Sequence, residues 1–413
     1  MKMKVLAAAI LASLASAAQA EVVVYGMGMP VLDNARTSGA TQGVPTDKPN
    51  QVPASAYTGV NDLSRWRITV GTSNWGFRGT EDLGPGLKAV WQLESGFQID
   101  QNSGPGLGAR DSKVGLQGNW GQVFMGQWDT PYKYISLAVN PIRAGYVFDR
   151  TAITGNPGMG VPTTTTQFTR IGGKADASFD RRVGNSVQYW SPNLGGFTFR
   201  LQYQVDENRG AIVTGGPEIK PTIGSAMLEY DWGKLSLRYA YEQHNDYFGM
   251  TQLGGSAAGT FANPSSKDHA HKFVVLYVIG KTRLTAMWEA LDYKNDDSLA
   301  GAISQYKRNA YYGVVEQRFE NNSSVFLSYG HANQGSCTRV GGAVCSTTDL
   351  AADYYTVGYI YRFSAATEGF VSYYRLTNKA SAQYSTGPQA VGVSPPAPGA
   401  DTSAGGIGMI HYF

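Results

Sequence analysis

Residues 86–97 (GLKAVWQLESGF) alternate in character. Leu87, Ala89, Trp91, Leu93 and Phe97 fall on one face of an extended chain, and Lys88, Gln92 and Glu94 fall on the other. Segment 65–70 (RWRITV) repeats the pattern, setting Trp66, Ile68 and Val70 against Arg65, Arg67 and Thr69. In 235–243 (LSLRYAYEQ), Leu235, Leu237, Tyr239 and Tyr241 oppose Ser236, Arg238 and Glu242. Segments 354–363 and 369–376 show the same aromatic-rich alternation, and 405–413 places Ile407, Met409, His411 and Phe413 together. Segment 271–279 (HKFVVLYVI) is apolar on both faces, so its orientation stays open.

Sixteen such segments lie between Glu21 and Phe413, and their fifteen connections alternate short and long. The short ones are 78–86, 119–121, 192–195, 232–233, 279–281, 319–322 and 363–367. The long ones are 30–64, 99–109, 129–182, 207–221, 244–268, 293–307, 332–352 and 379–404. Tight turns on one rim, long loops on the other and an even strand count describe an up-and-down cylinder. The predicted fold class is all-β: a transmembrane antiparallel 16-stranded β-barrel, greasy outside and wet inside.

Composition narrows the setting. Residues 1–20 have a secretory leader's charged start (Lys2, Lys4), apolar middle and Ala18-Gln19-Ala20 cleavage site. The predicted mature chain is therefore 21–413. Beyond residue 20 no run of eighteen apolar residues could form a membrane helix. Aromatics make up 12% of the chain, including 25 tyrosines, which suits aromatic girdles at the membrane interfaces. Net charge is +3, two of it from Lys2 and Lys4, so no nucleic-acid footprint exists. The two cysteines, Cys337 and Cys345, share one long connection, and export to an oxidising compartment predicts that they pair. Closing so short a loop contributes about 2–3 kcal/mol in the chain-entropy picture.

Three stretches then read as successive landmarks: 74–97 (NWGFRGTEDLGPGLKAVWQLESGF), 110–131 (RDSKVGLQGNWGQVFMGQWDTP) and 181–197 (RRVGNSVQYWSPNLGGF). With VVVYG near the mature start and Phe413 at the end, the chain resembles the Gram-negative general porins, closest to their beta-proteobacterial branch. The resemblance implies a homotrimer in the outer membrane, surrounded by lipid and lipopolysaccharide. It also implies a third long loop folded inward to narrow the pore, here 129–182, and recognition of Phe413 by the outer-membrane assembly machinery. Small hydrophilic solutes and ions would cross passively, with no cofactor.

In that family, wall arginines face acidic groups on the inward loop. Arg110 and Arg182 match basic positions of the pattern, whereas Asn74 and Gln127 stand where bases are often found. Alternation adds Arg181, Arg65, Arg67 and Lys88, with Glu94 on the same face as Lys88. The loop carries the acids Asp129, Asp149, Asp176 and Asp180. Its bases are Lys133, Arg143, Arg150, Arg170, Lys174, Arg181 and Arg182, an excess of three. Arg143, Asp149 and Arg150 are expected near the narrowing. A unit charge at ~10 Å in a water-like dielectric is worth ~0.4 kcal/mol, so this excess predicts a weak anion preference.

No G-x-S-x-G elbow accompanies the five histidines, so no enzymatic step is expected. His269 and His271 share a strand face beside a predicted loop junction, and a solvated junction outweighs a metal site. Three alternatives stay open: a channel specific for a carboxylate or other anion, an outer-membrane hydrolase, and a plugged structural barrel.

Overall fold

The computed structural model of the chain describes residues 21–41, 43–49, 59–96, 106–142, 150–159, 178–205, 220–247, 265–296, 301–386 and 396–413. The leader, Phe97, Arg143, Asp149, Arg170, Lys174 and Asp176 lie outside the described residues.

Sixteen antiparallel strands close into one barrel. Strand β1 runs Glu21–Gly28 and continues as Val31–Ser38; β2 runs Leu63–Thr69 and continues as Asn74–Gly84. Then follow β3 (Leu87–Gly96), β4 (Ser112–Gly118), β5 (Gly121–Asp129), β6 (Arg182–Trp190) and β7 (Phe197–Gln204). After these come β8 (Thr222–Trp232), β9 (Leu235–Asn245), β10 (Ser265–Ile279), β11 (Thr282–Asp296) and β12 (Ile303–Arg318). The last four are β13 (Ser323–Ala332), β14 (Ala352–Arg362), β15 (Thr367–Asn378) and β16 (Asp401–Tyr412). Closure joins β16 to β1 from Gly408↔Val31 up to Asp401↔Ser38. Below that, Gly26 and Phe413 exchange two backbone hydrogen bonds of 3.0 and 3.1 Å.

Several predicted boundaries move. The connection placed at 30–64 begins later, because β1 is only interrupted at Met29–Pro30 and resumes at Val31. Pro30 has no N–H to give the ladder, so the strand breaks there. The partner β2 breaks in register at Val70–Ser73, where Ser73 Oγ accepts from the Met29 N–H at 2.9 Å. The turn placed at 78–86 shrinks to Pro85-Gly86, since Arg78, Thr80 and Asp82 are inward strand positions rather than turn residues. Outer loops 244–268 and 293–307 also lose residues to longer β9 to β12. Connection 332–352 holds a short strand, Ser336–Arg339, that pairs with the upper end of β12.

The alternation partitions lipid from lumen as the residue types require. Val22, Val24, Trp66, Ile68, Val114, Met125, Leu201, Ile407 and Met409 are exposed on the outer face, and Phe413 ends that row. The unclear segment in β10 orients with Phe273 and Tyr277 outward and Lys272, Val274 and Leu276 inward. Its inner face is apolar because it is covered. Residues of the 130–181 connection sit against it inside the barrel, so Tyr132, Ile135, Val139, Ile153 and Phe179 join Ala240, Ala270, Val274 and Met287 in one buried cluster.

Candidate functional site

The inward loop starts with a short helix, α1 (Pro131–Tyr134). Thr130 caps it by accepting from the Lys133 N–H at 3.3 Å, and Pro131 occupies its first turn. From α1 the chain follows the inner wall across β8 to β13. The Tyr132 N–H donates to Ser225 Oγ at 3.1 Å on β8, and Arg283 on β11 donates to the Ala138 carbonyl at 2.6 Å. Arg308 on β12 donates to the Asn156 carbonyl, and the Gln383 N–H reaches the Gly158 carbonyl at 2.8 Å. Gly330 on β13 leaves room for Ile153, whose Cδ1 occupies the space a Cβ would need.

Beneath the loop lies a buried charge network. Lys272 Nζ is 2.8 Å from Asp180 and 3.6 Å from Glu289, and Arg308 is 3.5 Å from Glu289. Glu289 also accepts from the Tyr132 hydroxyl at 2.8 Å and the Gly155 N–H at 2.7 Å. Burial opposes ionisation of Asp180, but Lys272 and Arg150 outweigh it and hold the carboxyl below its ordinary value. Burial, with Glu289 and Asp180 nearby, pushes the Tyr132 phenol well up. Both ends of the loop are thereby anchored to charges of the wall.

The loop's root forms a second cluster. Arg182 Nε is 2.5 Å from Asp111, and its Nη2 is 3.2 Å from Asp129, which also holds Lys133 at 2.8 Å. A bulge at Asn185, with φ +51°, lets β6 bring Arg182 into this position. Next to it, Glu94 accepts from Arg110 Nε at 2.8 Å and from the Tyr25 hydroxyl at 3.0 Å. Asp111 has its pKa raised to about 6, by burial first and then by the Asp129 charge, against the pull of Arg182.

Of the residues named from sequence, Arg110, Arg182 and Glu94 come together here, with Asn74 heading the resumed β2 on the lumen face. Arg181 lies alongside, its guanidinium over the Tyr247 ring. Arg150 differs from expectation: its side chain is 1% exposed and engages Asp180 at 3.5 Å, so it is consumed beneath the loop and does not face the bore. Lys88 faces the lumen but sits near the tight-turn rim, in register with Asp82 and Gln117, roughly 20 Å along β3 from Glu94. Arg67 is buried against Asp33 at 2.7 Å, whereas Arg65 and Arg78 are exposed on the inner face. His269 and His271 stand within β10 on its outer face, not at a junction. His271 bonds the Tyr239 hydroxyl at 2.8 Å, and no metal-binding group exists among the described residues. Cys337 and Cys345 are bonded to each other, with Cα atoms 5.4 Å apart.

Sequence reasoning missed Asp111, Tyr132, Lys272, Glu289 and Arg308. The strand phase of Lys272, Glu289 and Arg308 was readable; partners as far as 157 residues away along the chain were not.

Three comparisons bear on this arrangement. The family model described as Gram-negative porin matches residues 6–381. An outer membrane porin protein of Bordetella pertussis is 34% identical, over 59% of this chain and 60% of its own length. The major outer membrane protein P.IA of Neisseria meningitidis is 33% identical, over 79% of this chain and 84% of its own. Among solved structures, an anion-selective porin from Comamonas acidovorans superposes with a TM-score of 0.65. It is 21% identical, covering 96% of this chain and all of the other.

Proposed function

This chain belongs to the Gram-negative porin family, and from that premise we propose that it forms a water-filled channel in the outer membrane with a weak preference for anions. Small hydrophilic solutes and ions pass by diffusion, with no chemical step and no cofactor. The observation that carries the reading is the imbalance of free charge on the wall facing the loop. Among the described residues Arg65, Arg78 and Lys88 are exposed on the inner face of β2 and β3 without a carboxylate in ion-pair distance, against one exposed acid of these strands, Asp82, on the same face. Acids such as Glu94, Asp111 and Asp129 are instead engaged by arginine or lysine. The Comamonas acidovorans porin, which shares the fold, is named for the same preference.

The segment 129–182 acts in this reading as the constriction, with Arg110, Arg182, Arg181, Asn74 and Glu94 around it. Residues 1–20 are removed on export, and Phe413 is presented to the assembly machinery. Three copies associate through the apolar outer wall of β1 to β4 and β16, amid lipid and lipopolysaccharide.

Reversal potentials across a planar bilayer in a KCl gradient test the proposal. Anions should carry the larger share of current. A clear cation preference, or no conductance at all, would end it.

A further inference from the structure

Lumen-facing bases that are partly or fully buried generally reach a carboxylate: Arg67, Arg110, Arg182, Arg238, Lys272 and Arg308 all do so within 4 Å. Lys113 on β4 and Arg200 on β7 reach none among the described residues, although both are partly buried on the same face. Each rests on aromatic rings instead. The Lys113 ammonium is 4.3 Å from the ring centroid of Trp190, 4.5 Å from Trp128 and 4.6 Å from Phe124. The Arg200 guanidinium is 4.0 Å from the Trp190 ring centroid and 3.4 Å from that of Tyr134 on α1. One indole thus carries two cations.

The two bases are near enough to repel each other. The acids whose fields reach them are committed elsewhere, Asp111 to Arg182 at 2.5 Å and Glu229 to Arg238 at 2.7 Å. Ring faces hold a cation in place but supply no acceptor for its N–H groups. Lys113 spends one donor on Gln122 Oε1 at 2.6 Å, and the Gln122 amide passes to Gln117 at 3.0 Å. Arg200 spends one donor on the Tyr134 hydroxyl, and the remaining donors of the ammonium and the forked guanidinium are the complement of an oxyanion.

We propose that Lys113 and Arg200, clamped on Trp190, form a station in the lumen for the carboxylate or phosphate group of a permeating solute. The station lies between α1 and the tight-turn rim, past the constriction for a solute entering from the long-loop side. It rests on the reading of the chain as an open, anion-passing channel and adds to it a binding step. Diffusion of chloride would be unsaturated, whereas oxyanion flux would saturate and oxyanions would compete with chloride.

The test uses the purified full channel in planar bilayers, with chloride current recorded as inorganic phosphate or succinate is added at constant ionic strength. Both, or one of them, should depress the current in a saturable way, and the effective one identifies the group recognised. The double variant Lys113→Gln, Arg200→Gln should need about tenfold more of it, because a charge-assisted contact is lost on each side. Its KCl selectivity should stay anionic through Arg65 and Arg78. Wild-type tryptophan fluorescence, compared with Trp190→Phe, gives a readout that does not depend on the double variant folding. Trp190 should respond to the oxyanion and not to chloride. No depression of current, or no Trp190 response, overturns the station while leaving the KCl reversal potential to judge the channel reading separately.

Discussion

The two halves of the inner wall obey the same alternation and end up chemically opposite. On β8 to β13 the lumen face meets the inward loop, and its residues are Ala240, Ala270, Val274 and Met287 around a closed charge network. On β1 to β7 it meets water and carries Arg65, Arg78, Lys88 and a row of glutamines that includes Gln92, Gln117 and Gln122. The period along the strand sets only which side chains point inward. What lies against them decides whether those side chains are apolar, neutralised or free. A buried charge without its counterion costs several kcal/mol, and on β8 to β13 under the loop Arg238, Lys272, Arg283 and Arg308 each have an acid within 4 Å. A hydrated base carries no such requirement, and that half is left to act on permeating ions.

The sharpest break of this contrast is Lys272→Met. It removes the base facing Asp180 and Glu289 while both acids remain buried, so folded barrel should lose about 3–5 kcal/mol in urea unfolding. Single-channel records should also show the loop leaving the wall, as added larger conductance steps. Steady wild-type conductance in a fully stable variant would mean that the network does not hold the loop.

Gly330→Ala probes the same docking through shape. The new methyl meets Ile153 and Tyr312, so a stability loss of about 1–3 kcal/mol is expected. Gly224→Ala on the outer face of β8, with nothing within 4 Å of its added carbon, should be neutral or slightly stabilising in the same measurement.

Which parts were legible follows from the same contrast. Where one face meets lipid and the other water, as in β3 or the upper part of β2, the residues state their own orientation. Segment 271–279 was unreadable because its inner face meets protein, and apolar residues then appear on both sides. The polar residues Arg78, Thr80 and Asp82 resembled turn chemistry because a lumen-facing strand is polar for a different reason. Arg150 looked like a free loop charge because its partner Asp180 was close in sequence only as one acid among several. Lys113 and Arg200 were in phase from the start, but nothing short of the assembled β4 to β7 wall brings them onto one indole.

The free wall is tested by charge removal. Arg65→Gln and Arg78→Gln should each lower the anion-to-cation permeability ratio by about twofold, the effect of ~0.4 kcal/mol per charge at ~10 Å. The shift should shrink in molar salt. Neutralising Arg308, which is fully buried against Glu289, should leave selectivity largely unchanged while costing stability. Equal selectivity shifts from both halves would erase the distinction between them.

The smallest effect comes from the boundary between the halves, where Asp111 titrates. Its pKa of about 6 lies above that of an ordinary carboxyl, so as pH falls through that value it takes up a proton and loses its charge. Arg182 then keeps Asp129 alone, and the root of the loop becomes more positive by up to one unit. The sign is fixed: the anion preference should rise between pH 7.5 and pH 5, by no more than about twofold for a single charge at ~10 Å. In Asp111→Asn the preference should sit at the acidic value throughout and show no step near pH 6. A step of the same size in that variant would assign the titration to another group and leave Arg182 governed by Asp129.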